Sequence, residues 1–316
     1  MKAAARAAVA AGLTGYLLWK SHPANVLAAL TGADWRLIAV AVLLVVADRA
    51  LMAYRWLVLL CIIEPAERPS FREVMRIFFV SSFLGTFLPA SVGGDAVRVY
   101  SMARLNVRGS DAVASVFMDR MLGVASLFVM AAVGLLLARD LAANTTIVLS
   151  LAVAASVCLV TLAVVFSGRV ARGVSALLTP LPPAWRGAAD RVLDSIRRYA
   201  AYHGRLANVL AGSIAVQILR VVQAYFLGLS LTIALPLPAY FAFVPLILLV
   251  MLLPVTFNGI GTSQVAFVWF FGRAGVPAAQ AFTLSVLFVA LGVVGNLPGG
   301  LLYAAGRRQA KEQTAR

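Results

Sequence analysis

The sequence predicts an all-α polytopic membrane protein: about six full transmembrane helices plus two re-entrant half-helix hairpins in an inverted repeat. Three observations predict it. Of 316 residues, 62% are hydrophobic and 12% charged, against about 25% charged and 45–50% apolar in a soluble domain. No single water-soluble core hides that much apolar surface, which excludes a soluble enzyme and a disordered chain. Six apolar runs suit helices that cross a bilayer, which takes about 20 residues each. Two further apolar runs are broken by Pro and Gly.

The six runs are Ala7–Trp19, Leu37–Ile63, Ala112–Ala138, Thr145–Ser167, Leu206–Leu231 and Gln280–Ala305. The first resembles a signal peptide in length, but bulky Trp19 and Lys20 close it where small residues would mark cleavage. It is read as a retained helix. Phe71–Pro89 runs into Ala90-Ser91-Val92-Gly93-Gly94-Asp95, and Tyr240–Pro254 runs into Val255-Thr256-Phe257-Asn258-Gly259-Ile260-Gly261 and a second short helix to about Phe271. Backbone breaks survive at membrane depth only where the freed groups face protein or a wet cavity, so both are read as hairpins with Gly-rich tips. Between the halves, 169–205 is a polar connection whose stretch Asp190–Arg205 reads as a basic amphipathic helix on the inner leaflet. The whole chain, 1–316, is expected to be one integral membrane domain. Its halves are about 1–168 and 206–305, and a basic tail covers 306–316.

The 27 Lys and Arg against 12 Asp and Glu leave a net charge of +15. With a cytoplasmic N-terminus, nineteen of the cations fall inside, four outside and four within spans. This is the positive-inside bias, so the charge orients the chain and faces anionic lipid; nucleic acid is not needed to explain it. Both termini are then cytoplasmic, the first hairpin opens from the cytoplasm and the second from outside. The tips echo each other, Leu88-Pro89 before Gly93-Gly94 and Leu253-Pro254 before Asn258-Gly259, as inverted repeats with a midplane site do.

Ionisable residues inside spans cost roughly 2.5–3.5 kcal/mol or more near a helix centre. This chain keeps Asp48, Arg49, Arg55, Asp119, Arg120 and Arg220, with Gln217 and Gln223 beside the last. Asp48 and Arg55, seven apart, share a helix face. Two readings stand for these residues: mutual neutralisation, Asp48 with Arg55 and Asp119 with an Arg elsewhere, or an anion site. Arg makes a planar, bidentate clamp for phosphate, which favours the second for Arg55 and Arg120. The turn Gly93-Gly94-Asp95-Ala96-Val97-Arg98 opens a helix whose free N–H groups favour an anion. Asp95 there either caps the half-helix or pairs with Arg98 or a span arginine. At the neutral tip, Thr262 or Ser263 is a candidate cap and Gln264 a headgroup donor. Cys61 and Cys158 lie in apolar runs as small hydrophobes. His22 and His203 are far apart, no metal-ligand spacing appears, and no nucleotide or nucleophile motif stands out; no cofactor is expected.

Arg55-Trp56 followed by Leu59-Leu60, Leu88-Pro89…Gly93-Gly94-Asp95…Arg98, and Asp119-Arg120 resemble the transmembrane region of lysylphosphatidylglycerol synthases, a family of flippase-like integral membrane proteins. So do Pro254, Asn258-Gly259-Ile260-Gly261-Thr262-Ser263-Gln264, Gly275-Val276 and Gly299-Gly300-Leu301-Leu302-Tyr303. The resemblance spans about residues 35–305. It implies a bacterial cell membrane protein that moves or handles lipids with anionic, glycosylated or aminoacylated headgroups, among them phospholipids and polyprenyl-phosphate lipids. Full synthases add a soluble transferase; with eleven residues after the last predicted helix, this chain is expected to lack it. Gln264 stands where the family often has Glu. The expected headgroup site comprises Arg55, Gly93, Gly94, Asp95, Arg98, Asp119, Arg120, Asn258, Gly259, Gly261 and Gln264, with Asp48, Arg49, Gln217 and Arg220 as secondary candidates. The leading expectation is a flippase without enzymatic chemistry. The alternatives are a headgroup-modifying membrane enzyme using Asp95 or Asp119, and a non-catalytic partner of a separately encoded lipid-modifying enzyme.

Overall fold

A computed structural model describes residues 12, 14–63, 70–87, 93–105, 107–137, 156, 159, 163, 167–170, 173, 183–252 and 259–314. These residues are helical, joined by turns, and no strand occurs among them. After a helical stretch at 14–20 come α1 (Pro23–Thr31), α2 (Trp35–Ile63), α3 (Phe71–Phe87), α4 (Gly93–Ala103) and α5 (Gly109–Leu137). The second half holds α6 (Pro183–Arg198), α7 (His203–Ser230), α8 (Leu237–Met251), α9 (Thr262–Arg273) and α10 (Ala278–Thr314). Four of these, α2, α5, α7 and α10, are long and apolar enough to cross a membrane. They match four of the six expected spans. Thr145–Ser167 lies almost wholly outside the described residues, as do the start of Ala7–Trp19 and the turn 88–92.

Three boundaries differ from the sequence reading. The stretch between the first two runs forms α1, with Pro23 in its first turn, where a missing N–H costs nothing. The amphipathic helix ends at Arg198, and a 3₁₀ turn at Tyr199–Ala201 separates it from α7. The last helix continues to Thr314, because the segment read as a tail, Arg307-Arg308-Gln309-Ala310-Lys311-Glu312-Gln313, consists of good helix formers.

Contacts sort the helix ends into two groups. At one end, Asp34 N–H donates to Ser230 O (3.0 Å) and Gln280 Nε2 to Leu231 O (3.4 Å), so the start of α2, the end of α7 and the start of α10 lie together. At the other, Tyr199 Oη donates to Leu59 O (3.2 Å), and Arg198 pairs with Asp111. The broken segments follow the same division. Leu60, Val74, Met102, Val107 and Ala112 share one apolar cluster, so α3 leaves from and α4 returns to the end where α2 finishes. Leu231, Ile233, Phe271, Val276 and Ala281 belong to another, which places the start of α8 and the end of α9 at the opposite end.

The packing of the halves is reciprocal. α2 lies along α7; α3 packs on α10 as α8 packs on α5; α4 packs on α5 as α9 packs on α10. Two glycines permit the crossed contacts. A Cβ on Gly299 would sit 2.0 Å from Phe79 O, and one on Gly134 would sit 2.7 Å from Phe241 O, so backbone meets backbone there. Gly134 and Gly299 are separated by the same number of residues as Gly94 and Gly259, and as Arg55 and Arg220.

Candidate functional site

The site forms where α4 folds back against α3, facing α2 and α5. Close approach of the two arms requires glycine: a Cβ on Gly94 would lie 2.9 Å from Ser81 O, and one on Gly85 would lie 3.0 Å from Gly94 Cα. This seats the first turn of α4, Gly93-Gly94-Asp95, beside α3 and aims Asp95 and Arg98 at α5. Gly93 and Gly94 thus shape the site through backbone approach.

Five ionised side chains form one chain of contacts. Arg120 Nε donates to Asp95 Oδ2 (2.5 Å). Arg98 Nη1 lies 3.8 Å from both Asp95 Oδ1 and Asp119 Oδ2. Arg55 Nη2 donates to Asp119 Oδ1 (2.9 Å) and to the Asp119 carbonyl (3.2 Å). Asp119 is thus held by an arginine from another helix, as one sequence reading had it, and Asp95 pairs with a span arginine. Arg55 and Asp119 are buried, while the Arg120 side chain is 44% exposed. Burial strengthens these attractions by lowering the local dielectric, but it also makes every charge costly unless paired. An exposed guanidinium joined to a buried carboxylate can exchange partners without stranding its charge in hydrocarbon.

Three neighbours escaped the sequence reading. Arg98 Nε donates to Ser81 Oγ (3.2 Å), and its guanidinium carbon lies 4.3 Å from the Phe78 ring centroid and 5.5 Å from that of Trp56. Cation–π contact of this kind strengthens when desolvated. Gly212 on α7 makes room for the Arg55 stem, since a Cβ there would lie 3.0 Å from Arg55 Cγ. Phe78 and Ser81 sit in an apolar run where core and site residues look alike; only their spacing on one face of α3 hinted at a common target.

The secondary candidates divide. Asp48 does not pair with Arg55, because seven residues on one helix separate them by about 10 Å of rise. Instead Arg49 Nη1 donates to Asp48 Oδ2 (3.1 Å), and Arg220 Nε of α7 lies 3.4 Å from Asp48 Oδ1. Met52 Sδ lies between, 3.5 Å from Arg49 Nη1 and 3.4 Å from Arg220 Nη2. Arg49 also donates to Gly292 O (3.3 Å). Gln217 turns away from this cluster, its Nε2 donating to Ser126 Oγ of α5 (3.3 Å).

The second tip behaves differently. Gly259 and Gly261 adopt φ of 77° and 94°, a region that favours glycine. Gln264 does not present its carbonyl outward: Oε1 accepts from Gly261 N–H (2.5 Å) and Ser263 Oγ (2.9 Å). It braces the turn that opens α9, and Thr262 Oγ1 donates to Gly259 O (3.0 Å). Asn258 lies outside the described residues.

A family model described as the lysylphosphatidylglycerol synthase TM region matches residues 3–299 of the chain. Comparison with curated proteins returns no match.

Proposed function

Because this chain belongs to the lysylphosphatidylglycerol synthase TM region family, a multi-pass membrane family linked by that name to lipid, we propose that it moves an anionic, phosphate-bearing lipid between leaflets without chemical change to the headgroup. The observation that carries this reading is the chain Arg120–Asp95–Arg98–Asp119–Arg55 at the first hairpin. It places three guanidinium groups around two carboxylates on three different helices.

Both helix pairs are read as re-entrant hairpins from opposite leaflets, around a polar path near the midplane. Exposed Trp19, Trp35 and Trp269 mark one interface, with Arg273 stacked 4.3 Å over Trp269; exposed Phe71, Tyr100, Tyr202 and Tyr303 mark the other. Aromatic belts of this kind sit at headgroup level. The positive-inside count assigns the second interface to the cytoplasm, with both termini on that side of a bacterial inner membrane.

The headgroup phosphate approaches Arg120, the most exposed member, and draws it from Asp95. Asp95 then closes on Arg98, already 3.8 Å away, so no carboxylate is left unpaired. Arg98, held by Ser81 and its aromatic neighbours, and Arg55 take the phosphate further along α2. The acyl chains stay in the bilayer, since only the headgroup needs shielding from hydrocarbon.

The test is movement of fluorescent phosphatidylglycerol and phosphatidic acid in proteoliposomes, read by dithionite quenching of outer-leaflet label. Wild type is expected to move one or both, and Arg98→Ala and Arg120→Ala to abolish movement while still inserting. Unchanged movement in both variants removes the site. Headgroup conversion by the purified protein, seen by mass spectrometry, would replace transport with catalysis.

A further inference from the structure

Helix α6 ties together the ends of the two helices that carry Arg55 and Asp119. Its Arg198 pairs with Asp111 in the first turn of α5, and Ser195 Oγ donates to Asp111 Oδ1 (2.6 Å). On the other side Tyr199 Oη donates to Leu59 O of α2 (3.2 Å), and Arg205 Nη1 donates to Cys61 O (3.2 Å). Leu59 lies about one turn past Arg55, and Asp111 about two turns before Asp119. Between these polar links Ile196 and Tyr199 share one apolar cluster with Leu59, Ile62, Ala114 and Met118, the last adjacent in sequence to Asp119. Asp111, Ser195 and Tyr199 are buried. Lifting α6 away would strand the Asp111 carboxylate, so the contacts hold as a unit.

This packing spends the apolar side of α6 on protein. Its outward side carries Arg186, Arg191 and Arg197, all exposed, beside exposed Asp194. Among the described residues none of these three arginines forms an ion pair. A Cβ on Gly168 would lie 3.0 Å from Arg197 Nη2, which brings exposed Arg169 to the same patch. Exposed Tyr202, about one turn past Arg198, has the Arg205 guanidinium 5.6 Å from its ring centroid and belongs with the aromatics that mark headgroup level. A cationic face at that height meets the headgroups, and each Arg close to an anionic leaflet strengthens attachment roughly fivefold.

We propose that α6 senses surface charge: Arg186, Arg191, Arg197 and Arg169 dock on anionic headgroups of the cytoplasmic leaflet, and the inner face of α6 passes that attachment to the ends of α2 and α5. These lipids act as a surface and not as cargo, so any anionic headgroup serves, with or without phosphate. The proposal takes from the transport reading only the side of the membrane on which α6 lies.

The experiment is hydrogen–deuterium exchange, read by mass spectrometry, on the purified protein in three kinds of nanodisc. One is phosphatidylcholine alone; the others add about a third of phosphatidylserine or of a diacylglycerol succinate, whose charge is a carboxylate. Both anionic lipids are expected to slow exchange at least threefold over 183–198 and over 56–63, the end of α2. High salt, which screens exposed charge, is expected to remove the effect. Arg186→Gln/Arg191→Gln/Arg197→Gln is expected to lose the slowing in both segments while exchanging like wild type in phosphatidylcholine, and the corresponding Lys variant to keep it. Asp111→Asn/Tyr199→Phe, which cuts both polar links, is expected to slow over 183–198 only. Arg98→Ala is expected to respond as wild type does. No slowing by either lipid, slowing that survives in the Gln variant, or slowing over 56–63 with the links cut overturns the inference. A response to phosphatidylserine alone, or its loss in Arg98→Ala, assigns the effect to the headgroup site and overturns it as well. Lipid movement in proteoliposomes separates the two ideas: movement without charge-dependent slowing sinks only this inference, while the slowing without movement sinks only transport.

Discussion

Replacing Asp119 with Asn removes the charge that holds Arg55 and helps hold Arg98, with almost no change in shape. The Arg55 side chain is 3% exposed, and its Nη2 donates to the lost carboxylate at 2.9 Å, so the guanidinium would be left buried against a neutral amide. Removing one partner of a buried pair costs about 3–5 kcal/mol, whereas an exposed pair contributes about 0.2–1 kcal/mol. The double variant Arg55→Met/Asp119→Leu takes both charges away. Replacement of a buried pair by apolar residues is often near neutral, so it is expected to cost no more than about 2 kcal/mol, the residue coming from the weakened hold on Arg98. The cycle formed by Arg55→Met, Asp119→Leu and this double variant then gives a coupling energy of about 2 kcal/mol or more. Reversible unfolding in mixed micelles, followed by tryptophan fluorescence, measures each corner. An Asp119→Asn cost below about 1 kcal/mol, or simple additivity in the double variant, would refute the claim that this pair is buried and dry.

Three further outcomes follow from local geometry. Gly299→Ala is expected to cost about 2 kcal/mol or more through overpacking against Phe79 O, while Gly292→Ala on the same helix, where a Cβ meets nothing within 4 Å, is expected to be neutral or stabilising by up to about 1 kcal/mol; the same unfolding assay separates them. Asp111 is buried and pairs with Arg198 of α6, so Asp111→Ala is expected to loosen α6 and speed tryptic cleavage after Arg197 and Arg198, with unchanged cleavage as the contrary result. Burial and the Asp111 carboxylate raise the Tyr199 phenol well above its usual range, so its contribution is complete below pH 10 and fades above it, when the unfolded chain ionises first. The stability gap to Tyr199→Phe, about 1 kcal/mol for the bond to Leu59 O, is expected to shrink between pH 10 and 11; a gap constant across that range contradicts the buried phenol.

Hydropathy made the order of the four long apolar helices legible. The Arg and Asp residues inside apolar runs marked α2, α4, α5 and α7 as the elements that converge, and Gly93-Gly94 marked the close approach of α3 and α4. What the pattern lacks is azimuth across helices: Asp48 and Arg55 share a face, yet each finds its partner on a neighbour, because rise along a helix separates them while packing brings Arg220 and Asp119 within reach. Phe78 and Ser81 were hidden because an aromatic or a serine in an apolar run is equally at home in a core. Gln264 illustrates a third limit: its amide oxygen serves the backbone of its own turn, a role that depends on the φ of Gly261 and not on residue type. The extension of α10 to Thr314 was legible in propensity, but hydropathy, which reads only the bilayer portion, ends the helix earlier.

The most direct test of a charged lipid gripped at the first hairpin is native mass spectrometry of the protein purified from its membrane in mild detergent. The account predicts an anionic, phosphate-bearing lipid retained by the wild type and by Arg273→Ala, whose guanidinium stacks on Trp269 away from the cluster, and lost from Arg98→Ala and Arg120→Ala. Equal retention in all four proteins, or retention of uncharged lipid alone, would contradict it.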